Sequence, residues 1–326
     1  MRTMIAACLL AVTAQAQTKA PAEIEPKVIY GSDDRRDLYQ VQDAKVLSLA
    51  DSTLALFEGG NVAVNGDWAA LTTEHYGVSY GLCKEEPFYD QRAGAFCSGS
   101  LVAPDVIMTA GHCVPSADAC KAVKFVFGFA LKKEGAHPAS VPASEVYGCS
   151  ELLGREQIGT GQDWALVKLD RTVTGHAPLK VNLETPVANG DPLFVIGHPA
   201  GLPTKIAGGA SVREAIPKDP ESEQLLSGFF RANLDTYGGN SGSAVFNAKT
   251  GLVEGILVRG EMDYTWKGDC RVSNACSNEG CRGEDVTKAS SVGFPGRAPT
   301  PAPARLVGVG KGLAALLEQA QALQTQ

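Results

Sequence analysis

The sequence predicts an all-β protein, a barrel or a sandwich, and three observations carry that prediction. Gly (36) and Pro (18) together make up about one residue in six of the 326, with no collagen-like period, which is the mix found where many turns join short strands. Short runs rich in Val, Ile, Phe and Leu recur between Val28 and about Val292, most of them bounded by Gly, Pro, Asn or Asp. Between those runs no long stretch of helical period appears, so βαβ units are excluded. With 44% hydrophobic and 20% charged residues the chain can bury a sizeable core. A net charge of −7 without a Lys/Arg cluster argues against a nucleic-acid partner, because phosphate binding needs a basic field.

The elements follow in chain order. Met1 to Ala16 carries one cation, Arg2, then an apolar run from Met4 to Val12, then Ala14-Gln15-Ala16, the small-x-small pattern cut by a signal peptidase. The run is about half the roughly 20 residues that a bilayer demands, so it is expected as a removed leader and no membrane anchor is expected. Residues 17–27 form a polar stretch expected as a pro-segment. The strand candidates are Ser100 to Met108, Val123 to Leu131, Trp164 to Leu169, Pro192 to Ile196, Ser243 to Phe246 and Leu252 to Val258. Glu261 to Arg282 holds three cysteines and little hydrophobic pattern, and is expected as a disulfide-tied loop. A Pro/Ala-rich linker, Pro295 to Ala304, follows. Beyond it Leu306, Val309, Leu313, Leu316, Ala320 and Leu323 recur three and four apart, which predicts a helix over about 306–324 docked on its own barrel.

Removing the leader takes Cys8 with it and leaves Cys83, Cys97, Cys113, Cys120, Cys149, Cys270, Cys276 and Cys281. An even count in an exported chain predicts disulfides, and a secreted or periplasmic location. No Cys-x-x-Cys pair occurs and the five histidines are scattered, so no metal site is expected. Cys120 precedes one strand and Cys149 ends another, which suits a pair between them.

Three short segments carry chemistry. Phe96-Cys97-Ser98-Gly99-Ser100-Leu101-Val102 leads to Met108-Thr109-Ala110-Gly111-His112-Cys113, which places His112 at a strand end. Gln162-Asp163-Trp164-Ala165-Leu166-Val167-Lys168-Leu169 puts a carboxylate directly before an apolar strand, where it can fix one imidazole nitrogen and leave the other as base. Asp170 closes the same run and reads as a turn residue. The third segment is Asp235-Thr236-Tyr237-Gly238-Gly239-Asn240-Ser241-Gly242-Ser243-Ala244-Val245-Phe246. A serine hydroxyl needs a base to take its proton, and the tetrahedral intermediate needs donors; glycines beside the serine let backbone N–H groups face the substrate. An α/β-hydrolase elbow is excluded, since it requires glycine where Ser243 stands.

On these residues the chain resembles the trypsin-like (chymotrypsin-fold) serine endopeptidases. His112, Asp163 and Ser241 match the family's Ala-Gly-His-Cys, Asp-x-Ala-Leu and Gly-x-Ser-Gly motifs, in its His, Asp, Ser order. The resemblance covers roughly Val28 to the C-terminal helix and implies two six-stranded β-barrels with the triad between them. It further implies Ser241 as nucleophile, His112 as proton shuttle, Asp163 as its orienting partner, the N–H groups of Gly239 and Ser241 as oxyanion hole, and a Cys97–Cys113 bridge. Cys83, Cys270, Cys276 and Cys281 are left with three connectivities. Protein or peptide substrates, a monomer and no cofactor are expected.

Asn240 stands where vertebrate digestive members have the aspartate that pairs with a newly cut N-terminus. The Gly-Gly-Asn-Ser-Gly-Ser run and Val28-Ile29-Tyr30-Gly31…Asp34-Arg35 instead resemble the bacterial glutamyl-endopeptidase branch, which implies maturation by cleavage after Lys27. Leu257 occupies about the place where that branch keeps a histidine for glutamate, with Arg259 nearby. Asp235, followed by Thr236, falls where trypsin-like members keep the carboxylate that receives Lys or Arg, so a basic residue before the scissile bond is favoured over Glu. The competing expectation is a catalytically silent relative whose barrels bind a partner.

Overall fold

The computed structural model describes residues 28–159, 161–219 and 221–296. The leader at 1–16, the stretch at 17–27, nearly all of the Pro/Ala linker and the helix predicted over 306–324 lie outside the described residues.

Two antiparallel sheets dominate, and both curl into rings. In the first the spatial order is Val146–Tyr147, Val123–Phe127, Thr53–Glu58, Cys97–Ala103, Val106–Thr109, Asp163–Leu169 and Cys149–Gln157. Its two end strands are consecutive in the chain and separated by Gly148 alone, so they act as one bent strand that closes the ring at six. The second runs Pro192–Gly197, Ala244–Asn247, Val253–Arg259, Glu284–Lys288, Phe229–Ala232, Lys205–Glu214 and Arg35–Asp37. The ten-residue strand Lys205–Glu214 pairs with both Phe229–Ala232 and Pro192–Gly197, which closes six strands and leaves Arg35–Asp37 attached to the outside. The implied pair of six-stranded barrels is therefore present.

Each barrel fills its interior with the inward residues of alternating strands. Leu54, Leu56, Leu101, Ile107, Phe125 and Val167 share one buried face of the first, whose other face packs Ala55, Phe57 and Val126 against Val62, Ala69, Leu71 and Val141 of a separate three-stranded sheet; Leu193, Val195, Val212, Phe230, Leu257 and Val286 pack inside the second. A larger cluster joins them, reaching from Leu54, Leu101 and Phe125 to Phe246, Ile256 and Val258. At about 25 cal/mol per Å² of apolar surface buried, such clusters supply the main driving force for the fold.

Several elements differ from the sequence reading. The run from Ser100 to Met108 is two strands, because Pro104 and Asp105 make a turn between Cys97–Ala103 and Val106–Thr109. Two short helices, Ala44–Ala50 and Ala117–Ala122, start where Asp43 and Ser116 accept hydrogen bonds from the first-turn N–H groups. The segment expected as a loop from Glu261 to Arg282 contains a hairpin, Tyr264–Lys267 with Cys270–Ser273, and a short strand Ala275–Cys276. That last strand pairs in parallel with Ile29–Tyr30 and so docks the start of the described chain. Cys97 bonds Cys113 and Cys120 bonds Cys149; the four remaining cysteines pair as Cys83–Cys270 and Cys276–Cys281.

Candidate active site

His112 follows the strand Val106–Thr109, and Asp163 begins the neighbouring strand Asp163–Leu169, with Ala165 opposite Thr109. That register brings the two side chains together. His112 Nδ1 and Asp163 Oδ2 lie 2.6 Å apart, and the His112 backbone N–H donates to Asp163 Oδ1 at 3.0 Å. Both carboxylate oxygens are therefore committed to one residue. Gly111 makes the approach possible, because a Cβ there would stand 2.9 Å from Asp163 Oδ1 and overlap the Glu156 carbonyl. Asp163 N–H donates to Thr287 Oγ1 at 3.0 Å, tying this carboxylate to a strand of the second barrel. Asp170 lies at the far end of its strand, where it accepts from Gly148 N–H and pairs with Arg171, as suits a turn residue.

Ser241 sits in the turn Asn240–Ser243 before the strand Ala244–Asn247. Its hydroxyl donates to the Val258 carbonyl at 3.4 Å and its own carbonyl accepts from Ser98 N–H at 2.8 Å. The Cys113 sulfur, one residue from His112, is 3.7 Å from the same carbonyl. The Cys97–Cys113 bridge thus presses the histidine turn against the serine turn. His112, Cys97 and Cys113 also bring their ligating atoms within 4.8 Å of one another, but both sulfurs are spent in a disulfide and leave no thiolate pair for a metal.

Gly239 adopts φ +90°, a conformation reserved for glycine. It is buried, and among the described residues its N–H has no acceptor. An orphaned donor in a buried turn calls for a partner from outside the chain. The carbonyl on the same peptide, Gly238 O, accepts from Ala200 N–H at 2.5 Å.

The residues expected to set specificity are placed differently from one another. Asp235 is buried, and each of its oxygens already holds a backbone N–H, Tyr30 at 2.7 Å and Asp34 at 2.8 Å. Burial raises this carboxyl to about 7 against the opposing pull of those two donors. Leu257 points into the second barrel's core and faces no cleft. Arg259 is held by Asp285 at 2.9 Å and by the Gly161 carbonyl at 2.7 Å, in a cluster where Asp285 also meets Arg231 and Arg282. Thr236 donates through Oγ1 to Glu284 Oε2 at 3.1 Å.

Glu284 is a residue that the sequence reading missed. It is fully buried, also meets Tyr30 OH and Glu261 N–H, and its carboxylate occupies the space that a Cβ on Gly260 would fill. Gly260 is two residues from Val258, whose carbonyl takes the Ser241 hydroxyl, so this carboxylate stands at the end of the strand Val253–Arg259 that the candidate nucleophile touches. In sequence it is one acid of many at a strand start, and only the pairing of Val253–Arg259 with Glu284–Lys288 reveals it.

The family model for a trypsin-like peptidase domain matches residues 97–256, which include all three motifs. Human chymotrypsin-like elastase family member 3B is 31% identical over 109 residues, 33% of this chain and 38% of that relative. Bovine proproteinase E is 28% identical over 109 residues, 33% of this chain and 41% of that relative. The chain thus spans about two fifths of the length of these curated relatives. Among solved structures, a Glu endopeptidase in complex with MPD covers 81% of this chain and 94% of its own, at TM-score 0.45 and 17% identity.

Proposed function

We propose that this chain, which belongs to the trypsin-like peptidase family, is an exported serine endopeptidase acting on proteins or peptides through His112, Asp163 and Ser241. The observation that carries the reading is the double hydrogen bond from His112 to Asp163, in a histidine turn pressed against the Ser241 turn. Held by Asp163 at Nδ1, the His112 ring keeps Nε2 for the serine proton. Ser241 Oγ attacks the carbonyl carbon and its proton passes to His112. The amine leaves with that proton, and water then cleaves the acyl-enzyme by the same route in reverse. The N–H groups of Gly239 and Ser241 receive the oxyanion, a donor set worth roughly 3 to 4 kcal/mol per member. The eight paired cysteines support an oxidising compartment, consistent with export, and cleavage after Lys27 is part of the same proposal.

For specificity we keep a basic residue before the scissile bond over glutamate, and a carboxylate other than Asp235 supports it. Asp235 is engaged by the N-terminal segment, whereas Glu284 stands against Gly260 and Arg259 is neutralised by Asp285. Glu284, a buried carboxylate set against Gly260, therefore supports a positively charged side chain.

Hydrolysis of a peptide panel by processed protein tests both parts. Cleavage by the wild type that is lost in Ser241→Ala is expected, with Lys or Arg preferred. A folded wild type that cleaves nothing would favour the silent binding protein, and equal or better cleavage after Glu would remove the specificity reading alone.

A further inference from the structure

The direction of the proposed oxyanion donor is set by groups outside the triad. In a trans peptide the carbonyl of one residue and the N–H of the next point to opposite sides of a single plane. Ala200 N–H grips Gly238 O, so the Gly239 N–H faces away from the His198–Leu202 turn. The following peptide is held as well. Gly239 O accepts from Ser98 Oγ at 2.8 Å, and the same oxygen of Ser98 accepts from His198 N–H at 2.9 Å.

Ser98 is fully buried, and its own N–H donates to Ser241 O. One residue therefore ties the turn His198–Leu202 to both ends of the Gly239–Ser241 segment. The turn itself is closed by Gly201 N–H to His198 O at 3.0 Å and by His198 Nδ1 against Leu202 O at 3.0 Å. Ala200 is held at φ +52°, a left-handed conformation uncommon for a residue with a Cβ. Deleting the Ser98 hydroxyl leaves His198 N–H and Gly239 O without their shared partner while removing nothing that meets a substrate.

We propose that Ser98 is a positioning residue for catalysis: its hydroxyl, bridging the His198–Leu202 turn to Gly239, aims the N–H that receives the oxyanion. The inference rests on the proposed reading of Gly239 and Ser241 as the oxyanion hole. It makes a distinctive demand, since interactions realised only in the transition state change kcat and leave substrate binding alone.

The test uses the processed full chain with its disulfides intact, as wild type, Ser98→Ala, Ser98→Gly and Ser241→Ala. kcat and KM are measured on a peptide amide, together with inhibition by a peptide aldehyde and by the corresponding peptide alcohol. The aldehyde needs the oxyanion hole for its hemiacetal, and the alcohol does not. Ser98→Ala is expected to lower kcat about 30- to 100-fold with KM within about threefold, and to weaken the aldehyde by a like factor while sparing the alcohol. Should Ser98→Ala fail to fold, Ser98→Gly is judged on the same criteria. A kcat within twofold of wild type, or equal losses for aldehyde and alcohol, overturns the inference and leaves the functional reading standing. A wild type without hydrolysis, or Ser241→Ala with wild-type hydrolysis, overturns that reading and this inference with it.

Discussion

The two turns that meet at the site are restrained by different means. The histidine turn is fixed covalently, with Cys97–Cys113 bracketing a strand, a turn and a second strand. The serine turn has no disulfide of its own. Between Asp235 and Ser243 it is held by hydrogen bonds from elsewhere: Tyr30 and Asp34 on Asp235, Asp263 on Gly238 N–H, Ala200 on Gly238 O, and Ser98 on Gly239 and Ser241. A base must keep one orientation throughout the reaction, which a covalent brace suits. A loop that presents bare backbone donors cannot carry large side chains near the substrate, so its order is imposed from behind. The contrast implies that the side of the proposed base answers to redox conditions, and the side of the proposed nucleophile to pH and to changes in neighbouring loops.

The largest effect expected is from Ser241→Ala, which lowers kcat about 10⁶-fold in a steady-state assay with little change in KM. Asp163→Asn follows, at about 10⁴-fold in kcat, because an amide at Oδ2 presents the imidazole in the wrong tautomer. Replacing Cys97 and Cys113 together by Ala destabilises the fold by about 3 kcal/mol in denaturant titration, and lowers kcat, while the serine turn keeps its hydrogen bonds.

The pH predictions sharpen the other half of the contrast. Asp235 binds its proton more tightly in the fold than in the unfolded chain, so its contribution is complete below the usual carboxyl value and is lost as pH rises through about 7. Thermal unfolding of wild type against Asp235→Asn between pH 4 and 8 should show the wild type losing ground as pH rises. The smallest effect is at His176, which lies between Asp51 at 3.0 Å and Glu145 at 2.7 Å. Burial opposes its charge, but the hydrogen bond to Glu145 and the two carboxylate charges outweigh it and raise the ring above its ordinary value. A raised histidine stabilises fully below the unfolded value and loses that contribution as pH rises through the folded one. His176→Gln should therefore lower Tm at pH 5 and leave it nearly unchanged at pH 9.

What was legible in the sequence was what depends on local pattern. The strands around Trp164, Phe194 and Ile256 alternate or run apolar between turn residues, and the three motifs announce themselves within a few positions. The strand Lys205–Glu214 is hidden in sequence because Gly208 and Gly209 interrupt its pattern, though its length is what closes the second barrel. The hairpin at Tyr264–Ser273 looks like a loop in sequence because Thr265, Trp266 and Lys267 are exposed and no alternation survives. Ser98, Glu284 and Thr287 reach the site only through pairing between distant segments, so no spacing could reveal them. Asp235 shows the opposite failure. Its position suggested a carboxylate awaiting a cation, whereas residues more than 200 positions earlier hold both oxygens.

The central claim, that Ser241 is the activated nucleophile of this cleft, is tested most directly by mass-spectrometric mapping of a fluorophosphonate adduct on processed protein with Cys97–Cys113 intact. The adduct is predicted on Ser241, formed by the wild type and absent from both Ser241→Ala and His112→Ala. Folded wild-type protein that takes up no label, or that carries it on another residue, would contradict the account.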